Sequence, residues 1–465
     1  MNKLPDGWVE TTLGEISTLG PKSNWDDSVE VGFVPMSHAP TNFRDALRYD
    51  VRPWHEVKKA YTHFEDGDVI FAKVTPCFEN GKAAVAHGLP NGAGAGSSEF
   101  HVLRPADSAI STGYLLSNIK SAEFLKEGEE SMTGAVGLRR VPRAFVENYP
   151  VRLPPEAEQK RIAQKLDPLL AHVDDLQTRI DAVPALLRNF RASILSAAVS
   201  GRATAKSDPA AEVPLPPLSP LVFFKSEEAT APGDWKWRKL VDVATLESGH
   251  TPRKSVPAYW EGGTVPWISL QDIRAADGKE IFFTKFMPTE LGIENSSARL
   301  LPKGTVCFSR DISVGFVTIM GRSMATTQHF ANWICGDELH PKYLMYAFIA
   351  AREHLLKSGQ GSTVKTIYMP ALKELRILLP PRAEQVEIVR RVEQLFAVAD
   401  QLEAKVAEAK QRIDALTQSI LAKAFRGELV PQDPNDEPAS VLLERIRAQR
   451  AAAPKPKRGR KAASN

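Results

Sequence analysis

Apolar residues recur between positions 162 and 194 at alternating steps of four and three: Ile162, Leu166, Leu169, Val173, Leu176, Ile180, Val183, Leu187, Phe190 and Ile194. This spacing puts one continuous seam on a heptad helix and predicts a coiled coil. The seam returns downstream, in the same register, as Ile388, Val392, Leu395, Ala399, Leu402, Val406, Ala409, Ile413, Leu416 and Ile420. At about 1.5 Å per residue, each helix alone would expose an apolar stripe of about 50 Å, so the two are expected to pair. Pro168 and Pro184 interrupt only the first helix, which predicts a kink or break there. Gly201 and Gly427 stand where C-terminal caps belong.

The helices belong to a larger repeat. LPPEAEQKRI at 153–162 recurs as LPPRAEQVEI at 379–388, and SILSAAVSG at 193–201 recurs as SILAKAFRG at 419–427. The segments ahead of them correspond more loosely. Pro5, Trp8 and Leu13 match Pro232, Trp235 and Leu240; FVPMSH at 33–38 matches TVPWIS at 264–269; DGDVIFAK at 66–73 matches KGTVCFSR at 303–310. A small-residue stretch closes each copy, SMTGAVG at 131–137 and SGQGSTV at 358–364. The chain therefore reads as a tandem duplication of a variable module followed by a better preserved helix.

This organisation predicts an α+β protein of two mixed α/β modules separated by two long helices. The first module should span 1–152 and its helix 153–201, a Pro/Ala/Ser-rich linker 202–231, the second module 232–378 and its helix 379–427, and a tail 428–465 whose basic end is expected to be disordered. Within the modules, Val69 to Lys73 and Val306 to Arg310 read as strands, and Gly113 to Lys126 and Pro341 to Lys357 as helices. The Gly-rich stretch NGAGAGSS at 91–98 has no helix-opening pattern or lysine behind it, and reads as a surface turn rather than a phosphate cradle.

Composition narrows the function. The 465 residues are 43% apolar and 25% charged, ordinary values for a globular chain, with no apolar run of membrane-spanning length. Met1 to Trp8 carries acid and proline where a secretory signal places basic and apolar residues, which predicts a cytoplasmic location. Cys77, Cys307 and Cys335 are widely spaced and expected to be free thiols, neither a disulfide framework nor a zinc site. The net charge of +3 is concentrated at Lys455, Lys457, Arg458, Arg460 and Lys461, so any DNA contact must come from local patches. No phosphate loop, nucleophile elbow, zinc pair or amino-methyltransferase motif is present.

Several polar clusters nevertheless suit base or phosphate reading. In the first module they are Ser37 with His38, Lys73 with Thr75, and Arg139 with Arg140. In the second they are Ser269, Gln271 and Asp272, then Arg310 and Asp311, Gln328 and His329, and Ser362, Thr363 and Lys365. Arg and Lys pair with guanine or phosphate, Gln with adenine and Asp with the cytosine amino group. Solvated loops carry the same residue types, and a coiled-coil adaptor that binds only protein, or an enzyme with a degenerate site, stands beside DNA reading at this point.

The duplicated LPPxAEQxxI entering a heptad helix that ends SILxxAxxG, behind modules that open with Pro and Trp and carry VPWISLQDI at 265–273, resembles the specificity subunit of Type I restriction-modification systems. The resemblance covers residues 4 to 430. It implies a non-catalytic subunit whose two modules are target recognition domains, each reading one half of a bipartite sequence in double-stranded DNA. It implies docking of two methyltransferase subunits, which carry S-adenosylmethionine, and of restriction subunits that use ATP and magnesium; this chain itself would need no cofactor, metal or membrane. Antiparallel pairing of the helices would relate the modules by a pseudo-two-fold axis and let helix length set the spacer.

Overall fold

A computed structural model describes residues 4–43, 45–135, 137–200, 219–358 and 365–452. The chain divides into two compact units, one formed by Met1–Ala182 with Val406–Asn465 and the other by Val183–Lys405. Each unit therefore owns one module and part of both long helices, Glu156–Val199 and Arg382–Phe425.

The modules repeat one sheet plan. In the first unit a sheet runs in the order Ser17–Leu19, Phe100–Pro105, Val69–Ala72, Ala83–Val85, antiparallel throughout. In the second, Ala244–Ser248, Phe330–Cys335, Val306–Ser309 and Val317–Met320 follow the same order, also antiparallel, with Glu280–Ile281 added in parallel at the edge. Val69–Ala72 and Val306–Ser309 are buried at every residue, as expected of central strands. The FVPMSH and TVPWIS match is also structural. Glu30–Val34 pairs in parallel with Ala93–Gly96 in one module, and Trp267–Ile268 pairs in parallel with Ala325–Thr326 in the other.

That pairing corrects the reading of NGAGAGSS. Ala93–Gly96 is a fully buried strand between Glu30–Val34 and Thr62–Glu65, not a surface turn. The glycines are needed because neighbours approach closely: a Cβ on Gly94 would meet the Phe64 ring at 2.3 Å, and one on Gly96 the Val34 carbonyl at 2.6 Å. Alternating Gly and Ala in a strand looks like a loop by composition, and only the packed ring reveals it.

Two other segments also differ from expectation. The helical stretch Gly113 to Lys126 is two helices, Thr112–Ile119 and Ala122–Ser131, divided at Ser121, whose hydroxyl accepts from the Phe124 N–H as an N-cap. Pro341 to Lys357 likewise divides into Pro341–Ala350 and Arg352–Ser358. Residues 219–231, expected to be linker, are built into the second unit. Leu221 and Val222 pair with Ile377 and Arg376, and Phe223 joins the core. The apolar run Leu221 to Phe223 has a sheet edge to bury on, which its Pro-rich surroundings concealed, while Phe224 stays exposed. The tail contains a helix as well. Ala439–Ala452 buries Ala439, Leu442, Leu443 and Ile446 in the first module's core.

The repeated LPPxAEQ motif has a physical reason. Gln159 and Gln385 are both 0% exposed. Gln159 Nε2 donates to the Pro154 carbonyl (3.0 Å) while its Oε1 accepts from the Ser111 N–H (2.9 Å). Gln385 Nε2 donates to the carbonyls of Pro380 (2.9 Å) and Glu338 (2.8 Å), and its Oε1 accepts from the His340 N–H (2.8 Å). Ser111 and His340 are the N-caps of the equivalent helices Thr112–Ile119 and Pro341–Ala350. Each glutamine thus bolts the start of a long helix to its own module.

Both long helices are continuous, so of the kink or break expected at Pro168 and Pro184 the break is absent. Pro168 is exposed, a position at which the helical carbonyl a proline leaves unpaired can be solvated. In the first unit Ile162, Leu166 and Leu170 pack with Leu421 and Ala424; in the second Leu195, Ala198 and Val199 share a core with Ile388, Val389 and Val392. In both, the start of one helix meets the end of the other, so they pair antiparallel. Arg191 bridges Asp400 (2.5 Å) and Glu403 (2.9 Å), and Lys410 bridges Asp181 (2.5 Å). Of the seam, Val173, Leu187 and Ala399 are buried, while Leu169, Ile180, Val406 and Ile413 are half-buried. Leu176, Leu395, Leu402 and Leu416 stay exposed. Gly427 closes the second helix at φ +71°, its N–H bonding Ala424 O (3.2 Å) and the Glu428 N–H bonding Lys423 O (2.9 Å). Gly201 lies outside the described residues.

The cysteines are free, Cys307 buried and Cys77 and Cys335 half-buried; burial pushes the Cys335 thiol up to about 12. His101, between the sheet and Val141, carries a testable pH dependence. Burial lowers it from 6.5 to about 4, and its Nε2 bonds the Val141 carbonyl at 3.0 Å. Between pH 6.5 and 4 the unfolded chain therefore binds a proton that the folded chain refuses. First-module stability should rise with pH across that window, by at most about 3 kcal/mol, and be insensitive to this group above it. Urea denaturation at pH 5 and 7.5 checks this: His101→Phe should flatten the difference.

Candidate nucleic-acid interface

The strand end at Lys73 in one module and Arg310 in the other organises the same local frame. The Lys73 N–H donates to the Glu99 carbonyl (2.9 Å), and the Lys73 carbonyl accepts from the Val141 N–H (2.8 Å). In the second module the Arg310 N–H donates to the His329 carbonyl (3.0 Å) and the Arg310 carbonyl accepts from the Ile367 N–H (2.8 Å). Even the side chains repeat the pattern. Lys73 Nζ donates to the Ser98 carbonyl (2.7 Å), and Arg310 Nη2 to the Gln328 carbonyl (3.0 Å). Isolated bridges Val74–Arg140 and Asp311–Thr366 complete the match. One backbone frame therefore presents Ser98, Glu99, Arg139 and Arg140 in the first module, and Gln328, His329, Lys365 and Thr366 in the second.

In the first module the frame gathers Lys73, Thr75, Arg139 and Arg140. The Thr75 N–H donates to the Arg139 carbonyl (3.1 Å), and the Thr75 hydroxyl to Glu79 (2.8 Å). Arg140 grips Glu99 through two bonds of 2.8 and 2.7 Å, which hold the Glu99 carboxyl below its usual range against the opposing effect of burial. Arg139 lies 3.4 Å from Glu129. Ser37 and His38 sit on a single 3-10 turn beyond Val34, Ser37 exposed and His38 Nδ1 buried without a partner. The Ser97 N–H, bonded to the Val34 carbonyl at 3.0 Å, ties that region to the frame.

In the second module an open cleft is lined by Thr251, Lys254, Trp267, Ser269, Gln271 and Gln328, together with His329. Ser269, Gln271, Gln328 and His329 thus come together there, beside Arg310 and Asp311. Ser269 and Asp272, however, are engaged in capping the helix Leu270–Ala275. Asp272 Oδ2 accepts from the Ser269 N–H (2.9 Å) and hydroxyl (2.6 Å), and Oδ1 from the Lys285 N–H (3.0 Å). Gln271 Oε1 accepts from Lys285 Nζ at 3.2 Å. Burial pushes the Asp311 carboxyl up, but bonds from Thr366 (2.8 Å), His329 (3.0 Å) and the Ile312 N–H outweigh it and hold it low. Arg310 Nε is buried without a partner. Lys365 is exposed, and Ser362 and Thr363 lie outside the described residues.

Thr251, Thr366, Glu99 and Ser98 belong to these frames and are missed by residue type alone. Aligning GSSEF at 96–100 with TTQHF at 326–330 behind the matched strands would have found Ser98 and Glu99. Among the described residues no cluster of His, Cys, Asp and Glu could hold a metal, and no helix is long and apolar enough to cross a membrane.

A repeated scaffold that holds one frame twice, with different polar side chains in each copy, is a tandem recognition fold. The comparisons agree. The Type I restriction modification DNA specificity domain matches twice, over residues 5–184 and 232–410. The Type I restriction enzyme EcoKI specificity subunit of Escherichia coli K12 is 30% identical, with 99% of each chain covered. The EcoEI specificity subunit of Escherichia coli is also 30% identical, over 90% of this chain and 83% of that one. In fold, the chain resembles a structure from work on complex assembly and conformational transition of the type I R-M system, with TM-score 0.66, 22% identity, and 92% of this chain and 100% of that one covered. It also resembles the HsdS subunit from Thermoanaerobacter tengcongensis, with TM-score 0.55, 23% identity, and 92% and 98% covered. The chain belongs to the Type I restriction-modification specificity subunit family, as its duplicated motif implied.

Proposed function

We propose that this chain is the sequence-reading subunit of a Type I restriction-modification complex, each module reading one half of a bipartite DNA target. The observation that carries this is the shared frame at Lys73 and Arg310: backbone bonds repeat while the presented side chains differ. That is what two readers of two different half-sites require. Two methyltransferase subunits carrying S-adenosylmethionine dock on the long helices, which also set the spacer, and restriction subunits using ATP and magnesium join them. The exposed Leu176, Leu395, Leu402 and Leu416 supply apolar surface of the kind a partner covers.

Reconstitution tests the reading. The purified chain alone should transfer no methyl group to DNA. With methyltransferase subunits it should direct methylation to one asymmetric bipartite sequence, with binding that weakens steeply as salt rises. Methyl transfer by the chain alone, or methylation by the complex without sequence preference, would contradict it.

A further inference from the structure

Gln328 and His329 stand side by side on the cleft of the second module, and their neighbours fix which atoms are donors. Gln328 Oε1 accepts from the hydroxyls of Thr251 (2.6 Å) and Thr327 (3.1 Å). The amide is thereby oriented with Nε2 toward His329, 3.5 Å from its Nε2, at the outer limit of a hydrogen bond. On the other side of the imidazole, Nδ1 lies 3.0 Å from Asp311 Oδ2. Thr366 and the Ile312 N–H bond the Asp311 carboxylate as well. An ionised carboxylate only accepts, so the Nδ1–H donates to it, and the Gln328 amide N–H facing Nε2 makes that nitrogen the acceptor. The pair therefore shows a donor, the Gln328 amide N–H, next to an acceptor, His329 Nε2.

In the major groove, guanine presents two acceptors, cytosine a donor, and thymine an acceptor beside a methyl group. On a single base, only adenine places an acceptor, N7, next to a donor, the N6 amino group; across a G·C pair the same order is split between guanine O6 and the cytosine amino group. We infer that Gln328 and His329 together read one adenine in the half-site of the second module. Gln328 donates to N7 and His329 accepts from the amino group, while Thr251 and Asp311 act as positioning residues. The inference rests on the proposed DNA-reading function and deepens it. The first module presents Ser98 and an Arg140-bound Glu99 at the equivalent positions, so this pair is particular to the second half-site.

The test uses the full chain assembled with methyltransferase subunits, on duplexes of its own target. Each adenine of the second half-site is replaced singly by 7-deazaadenine, which lacks the N7 acceptor, or by purine, which lacks the amino group. Binding is the readout, because methyl transfer consumes the amino group of the target adenine. At one adenine both analogues should weaken binding about 10-fold or more. Gln328→Ala should abolish the 7-deazaadenine penalty there and keep the purine penalty; His329→Ala should do the reverse. Gln328 is exposed, so its variant folds whatever becomes of His329, and unchanged discrimination at the first half-site reports folding of both. No sensitive adenine, or analogue penalties that persist in both variants, overturns the inference while specific binding of the unmodified duplex leaves the proposed function standing. Absence of specific binding by the wild-type complex overturns the proposed function instead.

Discussion

A chain cut after Pro438 should lose the fold of its first module. The cut removes the helix Ala439–Ala452, whose Leu442, Leu443 and Ile446 are at most 2% exposed in a core shared with Leu13, Leu115 and Val151. Burying each such side chain contributes about 1.5–3 kcal/mol. Three of them match much of the 5–15 kcal/mol that holds a typical domain together. The cut also removes Arg447 from Glu15 (3.0 Å) and Arg450 from the carbonyls of Gly14 (2.7 Å) and Ser17 (2.9 Å). A cut after Ala452 removes the basic end and should leave the fold intact. Limited proteolysis of both truncations decides: rapid digestion of the first module in the shorter chain is expected, and equal resistance of the two would show that the helix is dispensable.

Gln385→Ala should destabilise the second unit by about 3–6 kcal/mol. It leaves the His340 N–H and the carbonyls of Glu338 and Pro380 without their partner at a point where the side chain has no exposure. Each buried polar group left unpaired costs about 1–3 kcal/mol. Gln385→Glu does not rescue it, because a carboxylate faces two carbonyls with no hydrogen to offer. Denaturation followed through tryptophan fluorescence, to which Trp235 and Trp333 in the same core contribute, measures the loss. A shift within about 0.5 kcal/mol of wild type would mean that the glutamine clamp is not what fastens helix to module.

What the sequence disclosed followed the strength of the local pattern. The heptad seam and the LPPxAEQ repeat announce two paired helices, because coiled-coil packing is periodic and a buried glutamine is chemically conspicuous in an apolar motif. Yet the burial of Leu170, Leu195 and Leu421, off that seam, was not legible, since the helix ends pack on modules and obey a different face. The Ala93–Gly96 strand hid behind glycines demanded by Phe64. The helix Ala439–Ala452 was hidden because its apolar positions match a core assembled from residues hundreds of positions away.

The site followed the same rule. Residue type marked Gln328 and His329, which line one cleft, and Arg310 and Asp311, which bond to them from beside it. It also marked Ser269 and Asp272, whose polar atoms are occupied in a helix cap. Thr251, which orients Gln328, and Glu99, which holds Arg140, carry no signal until the two frames are superposed, because their importance lies in what they fix.

Exchange of the second module tests the central claim most directly. Residues 219–378, starting ahead of Leu221 so that its pairing with Ile377 is kept, are replaced by the equivalent segment of a relative with a different target. The chimaera is assembled with methyltransferase subunits, and the methylated sites are mapped by sequencing. The account predicts that one half of the bipartite site changes to the donor's while the other half stays as it was. A chimaera that folds and methylates with both halves altered, or with neither, would contradict two independent reading modules on one scaffold.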